Sequence, residues 1–387
     1  MRIAIDARFF GPKQKGLGRY LQKMVEHLQK VDLSNQYVIF LRRVNWDEYQ
    51  PSNPNFKKVL ADYRWYTFKE QLMMPIKIWR AEVDLVHFPH FNVPLFCSRP
   101  FVVTIHDLVL KKFPTRRAST LGPACYWLKN LAYRLVIWLA IKRTKKIIAV
   151  SNYTKKEILR YFGVRPDKIE VIYEGAPEVS KNNFINWTPK ELFLRTSSRQ
   201  EWGENWQGQL FKRPYLLYVG NAYPHKNLER LISAFQRLTR EEKIDLELVL
   251  VGQLDYFYQR LQKRFNHLPG LVFTDFVSDG ELALLYQRAS LYVFPSLGEG
   301  FGLPPLEAMA YGLPVISSRA ACLPEILGQA AVYFDPVDVK DITEKIKQVF
   351  KNKALRDELV RRGLARIKGY NWSEMARQIS NVYQAVD

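Results

Sequence analysis

The sequence predicts two doubly wound α/β domains, each an open parallel sheet with helices on both faces. Three observations predict this. At 387 residues the chain is long enough for about two domains with full cores. Strand-like and helix-like segments alternate along it, a rhythm that builds parallel sheets through crossover helices. The alternation runs twice, and the polar, weakly periodic stretch between the two runs reads as a linker. The boundaries are 1–178 for the first domain, 179–212 for the linker and 213–370 for the second, with a last helix over 371–387.

In chain order, apolar β-type runs predict strands at Arg2–Asp6, Tyr37–Leu41, Leu85–Phe88, Phe101–Ile105, Lys146–Val150 and Ile169–Tyr173. Between the first two, Tyr20, Leu21, Met24, Val25 and Leu28 recur at the spacing of one buried helical face. Leu131–Ile141 is nearly all apolar and is expected to pack on the sheet. The second domain repeats the pattern with strands at Tyr215–Val219, Leu246–Val251, Val272–Phe276, Leu291–Phe294, Pro314–Ile316 and Ala331–Phe334. Trp372–Ala385 is an amphipathic helix.

Three cysteines, Cys97, Cys125 and Cys322, have no metal-type spacing, and so sparse a count fits a reducing compartment. Met1–Asp6 reads as a buried strand without a leader-like apolar region. No apolar run reaches the roughly 18 residues of a spanning helix. These features point to a cytoplasmic chain. Charge is uneven: residues 1–178 carry 31 Lys+Arg against 15 Asp+Glu, a surplus of 16, and the remainder 27 against 23, a surplus of 4. Lys111–Val150 holds ten basic residues and no acidic one, interleaved with aromatics. Such a patch suits an anionic membrane surface, so the chain is expected to be peripheral at the inner face of the plasma membrane. Charge alone would also suit nucleic acid, but no nucleic-acid module is present.

The richest segment follows Leu291–Phe294. Glu299 and Glu307 lie eight positions apart, with glycines at 298, 300 and 302. Gly300 and Gly302 let backbone approach a ligand. N–H groups of Gly300, Phe301, Gly302 and Leu303, at a helix start, would face an anion. Two carboxylates bracketing an anion-friendly loop suit a ligand with both phosphate and hydroxyls, which describes a sugar nucleotide. In open α/β sheets ligands sit at strand carboxyl ends, and the other motifs fall there. Gly16 and Gly18 precede the first helix, placing N–H groups for a diphosphate. His106 follows the Phe101 strand as a hydrogen-bond partner for sugar hydroxyls, and Asp107 beside it positions a loop or the acceptor. His87 and His90 are a strand-end and loop pair without further metal ligands. Lys226 can meet a diphosphate as a point charge, and Asn227 can cap the next helix. Ser278 and Glu281 form a capping box after Phe276 and Val277.

The segment from Glu299 to Glu307 with its Gly-Phe-Gly-Leu-Pro-Pro flank resembles the E-x₇-E signature of the retaining family 4 glycosyltransferases. The resemblance spans essentially the whole chain, with the linker and Asp47–Arg80 the least matched. It implies the GT-B fold, two Rossmann-like domains facing a central cleft, with the last helix crossing back to the first domain. It implies transfer of a hexose, mannose favoured, from a GDP- or UDP-sugar to a glycan or lipid-linked acceptor, as in bacterial cell-surface glycan synthesis. Glu299, His106 and Lys226 are then the catalytic residues. Gly16, Asn221, Lys226, Phe276, Val277, Gly300–Leu303 and Glu307 hold the donor, with Glu307 on the ribose and the backbone near Phe276 on the base. Asp107 and Gly18 face the acceptor. No cofactor is implied, and with no D-x-D in the chain, no metal. The chain departs from the family pattern at Asn221 and His225, where members carry arginine, and at Asp275, where glycine is frequent. A second reading is a non-catalytic sugar-nucleotide-binding or scaffolding protein of the same fold.

Overall fold

A computed structural model describes residues 1–11, 14–112, 122–177 and 213–386. The stretch 179–212, expected as a linker, lies outside the described residues. The chain forms two compact units, Met1–Gly175 with the residues from Tyr370 onward, and Ala176–Gly369.

The first unit contains strands β1 (Arg2–Asp6), β2 (Gln36–Leu41), β3 (Phe56–Leu60), β4 (Leu85–Phe88), β5 (Phe101–Ile105), β6 (Lys146–Ala149) and β7 (Ile169–Val171). Its helices are α1 (Lys15–Val31), α2 (Phe68–Arg80), α3 (Val109–Lys112), α4 (Pro123–Arg143) and α5 (Asn152–Phe162). The strands make one seven-stranded parallel sheet in the order β3-β2-β1-β4-β5-β6-β7. On one face, Met74 and Ile78 of α2 and Ile137, Ala140 and Ile141 of α4 close over Val86, Phe88, Val103, Ile105 and Ile147.

Two expectations are corrected here. β3 is an additional strand. It lies at the sheet edge with exposed Lys57 and Leu60, so it lacks the continuous apolar run of a buried strand. Only part of Leu131–Ile141 packs on the sheet, while Leu131, Leu135 and Trp138 remain 65%, 50% and 47% exposed. A helix lays one stripe on a sheet, and apolar residues on its opposite face stay outside.

The second unit contains β8 (Tyr215–Val219), β9 (Glu247–Val251), β10 (Leu271–Phe273), β11 (Leu291–Phe294), β12 (Val315–Ser318) and β13 (Ala331–Phe334). Helices α6 (Leu228–Arg240), α7 (Tyr256–Phe265), α8 (Asp279–Arg288), α9 (Leu303–Ala310), α10 (Leu323–Leu327), α11 (Val339–Lys351) and α12 (Lys353–Ile367) accompany them. The sheet is parallel in the order β10-β9-β8-β11-β12-β13. The strand expected to reach Phe276 stops at Phe273. Asp275 takes φ +64° and its Oδ1 accepts from the N–H groups of Leu254 (2.8 Å) and Phe276 (2.7 Å). A left-handed residue explains why glycine suits this position.

The last helix, α13 (Trp372–Gln384), packs on α1 in the first unit. The Ser380 hydroxyl donates to Asp32 Oδ2 at 2.7 Å, and the Tyr383 hydroxyl lies 2.6 Å from His87 Nδ1. In each sheet the strand order reverses next to the unit's first strand, between β1 and β4 and between β8 and β11. Ligand crevices of doubly wound sheets open at the carboxyl ends flanking that reversal.

Candidate active site

In the second unit the reversal brings two loops side by side, one after β8 and one after β11. The N–H of Leu297 donates to the carbonyl of His225 at 2.7 Å and laces them together. Lys226 ends the short 3-10 turn Pro224–Lys226, and its Nζ meets Glu299 Oε1 at 2.5 Å. The two side chains are 13% and 14% exposed, and the ammonium lies 5.7 Å from the Phe294 ring centroid. Two residues 73 positions apart thus form one half-buried ion pair. A charged ligand can enter such a pair by exchanging partners: an anion takes the lysine and a hydroxyl donor takes the glutamate.

Gly302, with φ +96°, is the N-cap of α9. A Cβ there would be strained and 3.0 Å from Leu323 Cδ2, so glycine is required for this turn. Pro304 and Pro305 follow in the first turn of α9 and have no N–H. The N–H groups of this turn are therefore those of Gly300, Phe301, Gly302 and Leu303, the four named from the sequence. One turn on, Glu307 is buried, and the Tyr286 hydroxyl donates to its Oε2 at 3.1 Å. Tyr286 stacks on Tyr311 at 5.3 Å, which keeps that donor in place.

The remaining second-unit residues divide. The Tyr218 hydroxyl donates to the Asn221 carbonyl at 2.8 Å, while Asn221 Oδ1 accepts from the Tyr223 N–H at 3.3 Å. Asn221 therefore shapes the loop after β8. Asn227 stands at the N-cap of α6 as expected, but its side chain makes no capping bond there. Its backbone is left-handed (φ +62°), and its amide donates to the carbonyls of Pro295 (3.1 Å) and Pro336 (2.7 Å). It ties the β8 and β11 loops together. Val277 is buried and the Phe276 ring is 62% exposed, so only the backbone between them is positioned by the core. The Ser278–Glu281 capping box is present.

In the first unit, His106 follows β5 with both ring nitrogens engaged. Nε2 lies 3.0 Å from the Pro89 carbonyl and Nδ1 lies 3.1 Å from Glu174 Oε1, while Tyr20 packs edge-on at 4.6 Å. Both partners are acceptors, and each ring nitrogen faces one of them. In this arrangement both ring nitrogens are engaged within the first unit. Asp107 Oδ1 accepts from the Val109 N–H at 2.9 Å and holds the loop into α3. The glycine loop differs too. The helix begins at Lys15, so Gly16 and Gly18 lie within its first turn rather than before it. A Cβ on Gly16 would meet nothing within 4 Å, whereas one on Gly18 would lie 2.0 Å from the Gly11 carbonyl oxygen. Gly18 is thus a packing residue. His87 is buried in β4, its Nε2 2.8 Å from Thr104 Oγ1, and burial together with the nearby His106 charge pushes it down to about 3.

Glu174 and Tyr286 were not anticipated. Glu174 stands just beyond the last strand of its sheet, where the strand-end rule applied to β7 finds it. Tyr286 reads only as a core position of α8.

Comparison with known proteins bears on the family and the fold. Residues 15–178 match the family model Glycosyltransferase Family 4, and residues 204–366 match Glycosyl transferases group 1. The chain is 31% identical over 304 residues to O-antigen chain mannosyltransferase B of Escherichia coli, covering 78% of this chain and 74% of that protein. It is 27% identical over 300 residues to O-antigen chain mannosyltransferase RfbU of Salmonella typhimurium, covering 77% and 74%. Among solved structures, sucrose-phosphate synthase from Thermosynechococcus elongatus superposes with a TM-score of 0.74 over 100% of this chain and 99% of that one, at 19% identity.

Proposed function

The chain belongs to the family 4, group 1 glycosyltransferases, and on that premise we propose that it moves mannose from GDP-mannose to a glycan or lipid-linked glycan, retaining the anomeric configuration and using no metal. The Lys226–Glu299 pair beside Glu307 carries this reading. On donor binding the diphosphate takes the Lys226 ammonium, and the freed Glu299 carboxylate accepts from sugar hydroxyls. Glu307, held by Tyr286, accepts from the ribose hydroxyls. The N–H groups of Gly300–Leu303 and Lys226 stabilise charge growing on the departing diphosphate, the role a preorganised cation and backbone donors fill best. The acceptor hydroxyl attacks on the face the diphosphate leaves.

Mannose is favoured because both curated relatives are named mannosyltransferases of O-antigen chains. A lipid-linked acceptor and peripheral contact with an anionic membrane, at its cytoplasmic face, are supported by the basic surplus of residues 1–178. A thermal-shift panel of GDP, UDP, ADP and their sugars tests the donor. A rise in melting temperature for GDP and GDP-mannose, lost in Glu307→Ala, is expected. A response to UDP-sugars alone overturns the mannose assignment, and no response to any nucleotide overturns the donor site.

A further inference from the structure

We propose that Ser318 and Cys322, at the carboxyl end of β12 and in the loop after it, are positioning residues for the transfer reaction. They hold both ends of the segment 296–301, which carries Glu299, and they set the direction of the Gly302 N–H. This deepens the donor reading given above and rests on it. Ser318 is the last residue of β12 and is fully buried, and its hydroxyl donates to the Ser296 carbonyl at 2.5 Å. Four residues on, the fully buried Cys322 thiol donates to the Phe301 carbonyl at 3.2 Å. β12 runs parallel to β11, with Ser317 opposite Phe294, so the two loops leave the sheet side by side. The loop after β8, the other neighbour of β11, reaches the same segment through the Leu297 N–H on the His225 carbonyl. The segment with Glu299 is thus held from both flanking strands.

The holding loop is itself strained. Ala321 takes φ +56°, a left-handed conformation that a residue with a Cβ adopts at a cost. Such strain persists where the surroundings impose it, and it gathers at functional sites. Leu323, next to Cys322, lies against the Gly302 turn, where an added Cβ would come 3.0 Å from its Cδ2. The thiol also fixes a direction. In a trans peptide the carbonyl and the N–H point opposite ways. With the Phe301 carbonyl turned to Cys322, the Gly302 N–H of the same peptide points away from it. Gly302 is buried, yet its N–H makes no hydrogen bond among the described residues. A buried amide without an acceptor is uncommon, and an anionic ligand oxygen would supply the missing one. The diphosphate is that ligand, drawn to the Lys226 ammonium that the same segment holds through Glu299. A thiol is a weak donor, so its loss should alter the direction of this N–H more than it alters folding.

The test compares Ser318→Ala, Cys322→Ala and Cys322→Ser in the full chain. Mannosyl transfer from GDP-mannose gives kcat and KM, and glycine-selective ¹⁵N labelling follows the Gly302 amide resonance. Both alanine variants are expected to lower kcat by about tenfold with KM changed less than about threefold, since the N–H acts on charge that grows in the transition state. The Gly302 resonance should move in Cys322→Ala. Cys322→Ser removes the sulfur as alanine does but keeps a donor, so it should recover most of the rate and return the resonance toward its wild-type position. Alanine variants with kcat within about twofold of wild type overturn the proposal, whatever their melting temperatures. Cys322→Ser as slow as Cys322→Ala overturns it too, because the thiol would then serve by volume alone. Failure of the donor reading looks different. In that case wild type gives no melting response to any nucleotide, while the Gly302 resonance still moves in Cys322→Ala. A wild type that responds to nucleotide, with a Gly302 resonance that Cys322→Ala leaves in place, keeps the donor site and overturns the positioning role.

Discussion

The two sheets share a strand order around their reversal points, yet their carboxyl edges are chemically opposite. At the edge of the second unit, Lys226 and Glu299 form an ion pair, beside the glycine turn that opens α9. At the edge of the first unit, His106 is saturated by Pro89 and Glu174 and clamped by Tyr20. The shared topology decides where a ligand crevice can open. Whether an edge can answer a charged ligand is decided by how completely its polar groups are already satisfied.

The largest expected effect breaks the comparison from the second-unit side. Glu299→Gln, Lys226→Ala and Glu307→Ala should each lower kcat/KM for mannosyl transfer by about 10²- to 10³-fold, with melting temperature little changed. A variant that keeps a rate within about threefold of wild type removes that residue from the site.

Next comes acid. In the unfolded chain His87 takes up a proton near its ordinary 6.5, while in the folded first unit it stays neutral down to about 3. The unfolded state therefore binds more protons in that window, and stability falls as pH falls through it. Urea unfolding at pH 4.5 should show about 2 kcal/mol less stability from this ring than at pH 7, with the first unit unfolding ahead of the second. Equal loss in both units would show that the burial of His87 does not distinguish them.

A smaller contrast lies within α1. Gly18→Ala should destabilise by about 1–3 kcal/mol, because its Cβ collides with the Gly11 carbonyl. Gly16→Ala, in open space within the helix, should be neutral or stabilising by up to about 1 kcal/mol. Denaturant midpoints of the pair decide whether the two glycines are distinguished by packing. The smallest effect sharpens the first-unit edge. Glu174→Ala should slow transfer by about tenfold, and ring ¹⁵N spectra should show the Nδ1–H of His106 lost. A rate change without that spectral change would assign Glu174 a role other than holding the ring.

Much of the fold was legible because parallel strands buried on both faces are continuous apolar runs. Phe101–Ile105 and Leu291–Phe294 are recovered without change. β3 was not legible because an edge strand with lysines carries no such run. The outer face of α4 was misjudged because an all-apolar stretch does not state which of its faces meets the sheet. At the site, Glu299, Glu307 and Lys226 could be found from their places at strand ends and a helix start. The tasks of Asn227, Gly18 and His106 could not, since each depends on carbonyls or carboxylates contributed from elsewhere in the chain.

By itself, the sequence determined the two alternating α/β units, the strand ends that bear the motifs, and the excess of cations in the first half. Those properties are local, set by residue spacing and composition. Tertiary structure alone decided that Lys226 pairs with Glu299, that Tyr286 holds Glu307, that Glu174 and Pro89 occupy both nitrogens of His106, and that the outer face of α4 is left uncovered. Each of these depends on which strands become neighbours. A crossover helix can carry a strand to either side of its predecessor, and that choice brings residues 73 positions apart to within 2.5 Å.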